Sequence, residues 1–284
     1  MKLILSRKGF DSSAGGCPNP VFPDGSCLAL PIPDDQSPIR YSQVRRHGES
    51  IGSLVSQLTG QQAFSRRGAH LDPDVIESAY PRLLGWRPVL GQHSSAQAHL
   101  ANHDIGPGDL FLFFALFRPV ERYRRRWRFV PGSRPFHAVW GWLQVADVWP
   151  LGDASSVPDW ARYHPHLHGE RSAQNSLYVS GDRLQIPGLR EDLPAAGAVE
   201  ALSDQHRLTA PGAAKVTDWR LPAGFMPQPG KSPLSYHHNP ERWRLEDSGE
   251  YCRLKCAARG QEFVLDLEQY PGVSEWLLTP GLLS

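Results

Sequence analysis

Long apolar runs, cysteine, methionine and net charge are all scarce in this chain of 284 residues. No apolar stretch approaches the roughly 18 residues that a membrane-crossing helix needs, and the longest, residues 110–117, reaches about half that. The opening MKLILSRKGFD is too short for a signal-peptide core, so a soluble, cytoplasmic protein is expected. Thirty basic residues against 29 acidic ones leave a formal charge of +1, which excludes a whole-surface attraction for nucleic acid and requires any such binding to use a local patch. Four cysteines are a sparse set for this length, and a chain of this size does not need disulfides to hold a core. Cys252 and Cys256 are spaced C-x3-C without a flanking histidine, so reduced thiols are expected.

Glycine and proline, 26 of each, and nine tryptophans are what the chain does have, pointing to short strands and turns packed by large aromatics. The length suffices for a large core, and with no internal repeat residues 1–284 read as one compact unit. A first strand, LIL, leads into a charged glycine-rich loop over residues 6–25. Residues 41–60 carry a partial 3.6-residue pattern that predicts a helix ending at Gly60, and VIESAYPRLL predicts a short helix stopped by Pro81. Strands follow at 108–117, 137–150 and 175–184, with a helix at 95–102. The stretch RLKCAARGQEFVLDL predicts a hairpin turning at Arg259 and Gly260. Together these predict an α+β fold: a central, mostly antiparallel, strongly bent sheet or PUA-like barrel at about residues 105–182, with peripheral helices and long loops.

Four groups of residues carry candidate chemistry. At the end of the first strand, Arg7 and Lys8 offer charge-assisted donors for phosphate. Asp11 is the candidate base, while Ser12, Ser13, Gly15 and Gly16 can turn backbone amides toward an anion. The alternative is a surface loop in which Asp11 caps its own turn. In YHPHLHGER, His164, His166 and His168 alternate. On a strand they would share a face and could hold a divalent metal, although Pro165 argues against a regular strand and leaves His166 as acid or base without metal. Gln92 and His93, before the helix at 95–102, are candidate base-edge contacts. Arg124, Arg125, Arg126 and Trp127, within a longer basic arm, suit phosphate contact and base stacking, against the alternative of a solvated hairpin.

The phrases SRKGFDSSAGG, PNP-x-F-P-D-G, L-PIPD, GDLFLFF-x-LFR and H-x-VWGWLQV resemble the nucleotide modification associated domain family, third type, a bacterial family named for its association with DNA-modifying systems. The resemblance implies work on nucleotides or modified bases, with nucleic acid or nucleotide as partner. It implies no particular reaction, cofactor or residue set. The Gly-Asp turn entering a strand also resembles PUA-like and ASCH reader barrels, which leaves a non-catalytic reader of modified DNA or RNA bases as the second expectation.

Overall fold

A computed structural model describes residues 1–152, 157–169, 174–258 and 262–283. The first strand, Lys2–Arg7, buries Leu3, Ile4 and Leu5 completely because it is an interior strand with neighbours on both sides. It runs parallel to the Leu110–Tyr123 strand, pairing Arg7 with Phe114, and antiparallel to Glu262–Asp266, pairing Ser6 with Glu262. Phe111, Phe113, Phe114 and Phe117 of the Leu110–Tyr123 strand are fully buried and form the centre of the main core.

The nine-stranded sheet continues outward from Leu110–Tyr123 through Phe136–Pro150 and Asn175–Ser180 to Val89–His93. Its parallel pairings are those that the first strand and Asn19–Val21 make with Leu110–Tyr123; the others are antiparallel. Register shifts between Val139 and Gly141 and between Val145 and Asp147 bend the long Phe136–Pro150 strand, whose first part pairs with one neighbour and whose last part pairs with the next. The bend brings the outer strands together: the Gln92 amide donates to the Glu262 carboxylate. These two strands share no backbone ladder, so the expected α+β, mostly antiparallel, bent sheet is present but is not closed into a barrel.

Around the sheet lie the helices Gly52–Thr59, Ser94–Asn102 and Pro271–Leu277. The helix expected over 41–60 starts only at Gly52, because Arg45–Arg46 and Glu49–Ser50 pair as a small hairpin turning through His47 and Gly48, both at positive φ. It ends at Gly60 as expected. The segment before Pro81 forms a single 3-10 turn, Glu77–Ala79. The strands flanking Arg259 and Gly260 do not pair with each other. Tyr251–Lys255 lies between Asp218–Pro222 and Trp243–Leu245, whereas Glu262–Asp266 joins the first strand; the predicted turn itself falls outside the described residues. A second apolar cluster holds Phe10 against Tyr41 and Phe64, and a Cβ at Gly15 would overlap the Phe10 ring. All four thiols are free. Among the described residues no helix is long and apolar enough to cross a membrane.

Candidate functional site

The first strand ends where the sheet curls, and the next residue, Lys8, turns its side chain inward. Its backbone is fixed by Lys8 N–H donating to the Phe114 carbonyl at 2.9 Å and by the Trp140 indole donating to the Lys8 carbonyl at 3.2 Å. Its ammonium lies 3.6 Å from Glu262 Oε1 and 3.8 Å from Asp72 Oδ2. Asp72 comes from the segment HLDPD, which runs beside the Val89–His93 strand through paired backbone bonds between Asp74 and Val89. The neighbouring Asp74 turns away to a bidentate pair with Arg82, at 2.6 Å for each oxygen. Consecutive acidic residues of one loop thus reach different partners, and the Arg82 clamp anchors the loop.

Three imidazoles surround the Asp72 carboxylate and a fourth lies behind them. Its Oδ1 accepts the Gly91 N–H at 2.5 Å and has His164 Nε2 at 3.4 Å; its Oδ2 faces His166 Nε2 at 3.8 Å and His70 Nε2 at 3.9 Å. His93 stacks edgewise on His166, with ring centroids 5.3 Å apart, and remains exposed. Gly91 is required here because a Cβ at that position would overlap the His166 ring. Burial opposes the charge on Asp72, but Lys8 and the His164 and His166 rings outweigh it and hold the carboxyl below the ordinary range. Burial pushes Glu262 up, and it pushes His166 down to about 3, so that ring is neutral near pH 7. Asp34 is held low chiefly by its hydrogen bond with His70.

The sequence candidates separate sharply. Lys8, Gln92, His164 and His166 join this cluster, with His93 at its edge. Arg7, one residue before Lys8, takes the other side of the sheet: it donates to the Ala258 carbonyl at 3.2 Å and lies 5.7 Å from the Phe114 ring centre. Asp11 Oδ1 accepts from Ser13 N–H, Ser13 hydroxyl and Ala14 N–H at 2.7–2.8 Å, which realises the self-capped turn, with Ser12 exposed and Gly15 and Gly16 at positive φ. The three alternating histidines do not lie on a strand. Pro165–Leu167 is a 3-10 turn, and His168 faces outward to the Arg162 carbonyl at 2.8 Å, so it does not converge with the other two. Arg124, Arg125 and Arg126 are exposed on a hairpin, while Trp127 packs against Phe22. Sequence reading missed Glu262, and it missed His70 and Asp72. The signal for the latter two was the His-x-Asp spacing inside HLDPD, where the proline and the two aspartates read as a turn.

Beside the cluster lies a cleft of about 680 Å³, with Gly9, Asp72, Trp140, Arg45 and Arg46 among its lining residues. Asp72 thus belongs to both the cluster and the cleft lining, and Gly9, next to Lys8 in the chain, lines the cleft as well. The match to nucleotide modification associated domain 3 extends over residues 2–266 and so takes in every residue of the cluster. The chain belongs to this family. No curated protein and no solved structure matches it. Membership of nucleotide modification associated domain 3 ties the chain by name to nucleotide modification; the chemistry has to be argued from the residues.

Proposed function

We propose that this protein is an enzyme that modifies a nucleotide or a nucleic-acid base, with the Lys8–Asp72–histidine cluster as its reactive centre. One observation carries the reading: an ammonium, two carboxylates and the rings of His164 and His166 converge out of water where the outer strands meet. Burying such charges costs several kcal/mol per ion, and a fold with a phenylalanine-rich core gains nothing comparable from them. Titratable groups displaced by burial and by specific charge partners concentrate at working sites. The neutral His166 ring and the Asp72 oxygen can accept a proton or a cation, and Lys8 can stabilise negative charge developing on the substrate.

The adjoining cleft has the size of a small-molecule site and combines Arg45 and Arg46, suited to phosphate, with the buried Trp140 face, suited to a base. Asp72 takes the role that the sequence suggested for Asp11. A second reading, a reader that binds without chemistry, is favoured by the exposed Arg124, Arg125 and Arg126. Mass spectrometry of nucleosides from DNA, RNA and nucleotide pools of cells expressing the wild type or Asp72→Asn separates the two. A nucleoside mass present only with the wild type is expected. Identical nucleosides in every pool, together with tight binding of modified DNA, would replace the enzyme with the reader.

A further inference from the structure

Hydrogen bonds fix which imidazole nitrogens around Asp72 carry protons. The Asn175 amide nitrogen donates to the His166 backbone carbonyl at 2.9 Å, which turns Asn175 Oδ1 toward His166 Nδ1 at 2.8 Å. That nitrogen must therefore carry the proton, leaving a lone pair on Nε2 in the neutral ring. His70 repeats the arrangement, its Nδ1 lying 2.9 Å from the Asp34 carboxylate, so its Nε2 also presents a lone pair when the ring is neutral. His164 is the reverse: its Nδ1 accepts from the His166 N–H at 3.4 Å, which puts the proton on Nε2, toward Asp72 Oδ1.

Two imidazole lone pairs and a carboxylate oxygen thus face one another, none able to donate to the others. The ligand atoms of His70, Asp72 and His166 lie within 4.8 Å of one another. We propose that His70 Nε2, His166 Nε2 and Asp72 Oδ2 bind one divalent first-row transition metal ion. Two donors bound at about 2.1 Å to one ion stand roughly 3.0–3.4 Å apart, so each imidazole, now 3.8 or 3.9 Å from Asp72 Oδ2 and within 4.8 Å of the other, must move inward when the ion binds. Nitrogen donors select against Mg²⁺ and Ca²⁺, and two histidines with one carboxylate leave positions open for water or substrate, the ligand set of non-haem iron and of hydrolytic zinc sites.

The surroundings fit a bound ion in two further ways. Each ligand is oriented through its other polar atom: His70 by Asp34, His166 by Asn175, and Asp72 by the Gly91 N–H. Such supports fix the ring tautomer and raise ligand basicity. Lys8 lies 3.8 Å from the same Asp72 oxygen and would repel a dication, but the Glu262 carboxyl, at 3.6 Å, offers its ammonium a second acceptor.

The metal would occupy the centre that the proposed function uses, so the test reads bound metal and not turnover. Purified protein is stripped with chelator, loaded separately with Zn²⁺, Co²⁺ or anaerobic Fe²⁺, and passed through gel filtration before elemental analysis. One ion per chain is expected with the wild type and with His168→Ala. His70→Ala and His166→Ala should each lose at least about 100-fold in affinity, and Asn175→Ala, a positioning change, about 10–100-fold. Should the variants fail to fold, the Co²⁺-loaded wild type decides alone: two shifted, solvent-exchangeable imidazole N–H resonances are expected, one from each Nδ1–H. No bound ion with any of the three metals, full binding by a folded His70→Ala,His166→Ala double variant, or fewer than two shifted imidazole N–H resonances would overturn the assignment. A bound ion with unchanged cellular nucleosides would instead sink the proposed function and leave the metal site standing.

Discussion

His137 and His166 are both driven down to about 3 by burial, yet they lie in opposite surroundings. His137 sits beside Arg7 among aromatic rings, its Nδ1 accepting the Trp219 indole N–H at 3.0 Å and its ring edge-on to Phe114 at 5.5 Å. It is a core histidine whose one acceptor satisfies one buried donor. His166 presents its free Nε2 to a carboxylate and to another imidazole. Equal displacement of a pKa therefore does not identify a site; convergence of several polar groups on the same space does. Arg7 and Lys8 repeat the lesson as consecutive residues, one spent against aromatic core and one placed between two buried carboxylates.

The sharpest way to break this comparison is to remove each cation in turn. Lys8→Met leaves Asp72 and Glu262 buried without their shared counter-charge, and a loss of about 3–5 kcal/mol in urea unfolding is expected. Arg7→Met removes a long bond to one carbonyl and retains an apolar stem against Phe114, so about 1 kcal/mol or less is expected. Equal losses would mean that the two sides of the sheet do not differ in kind.

His137 allows a sharper test by titration. Its folded pKa is depressed, so between about 3 and 6.5 the unfolded chain binds a proton that the folded chain refuses, and stability falls as pH is lowered through that window. From pH 7 to 4.5 this single group should remove about 2.5 kcal/mol. His137→Gln, which keeps an acceptor for Trp219, should flatten the unfolding free energy against pH by that amount. An unchanged slope would show that His137 is not excluded from protonation.

The fold was legible where composition acts locally. The runs at 110–117 and 137–150 announce buried strands, Gly60 ends its helix, and the charge after the first strand does reach a buried polar cluster. What could not be read was which charge. Strand alternation sends Arg7 and Lys8 to different faces, but their destinations depend on the curl that brings Glu262 to Gln92, a contact across 170 residues of chain. His70 and Asp72 were hidden for the same reason: proline and aspartate make HLDPD a turn by local rules, and only its pairing along Val89–His93 reveals that one aspartate points inward.

Asp11 provides a smaller test of the division between loop and cluster. Its carboxylate accepts three donors, all within its own turn, so Asp11→Ala should cost about 1 kcal/mol and leave any nucleoside product unchanged per folded molecule. Abolished product with unaltered stability would return Asp11 to the reactive centre and weaken the case for Asp72.

The smallest effect on folding is expected at the hairpin turn, where charge is as dense as at Lys8 but solvated. Arg128 already pairs with Glu121 at 2.7 Å and stacks over Tyr123 at 3.7 Å, which holds the hairpin without the three arginines at its tip. Replacing Arg124, Arg125 and Arg126 by alanine should therefore change unfolding free energy by no more than about 0.5 kcal/mol. Nucleic-acid affinity should respond differently, because each lost phosphate contact removes roughly one unit from the slope of log affinity against log salt. Lower affinity with a flatter slope and normal nucleoside modification of a free nucleotide would make the hairpin a nucleic-acid anchor separate from the chemistry. If affinity and slope both stay put, the arm is a solvated hairpin, and the substrate is recognised by the cleft beside Asp72 alone.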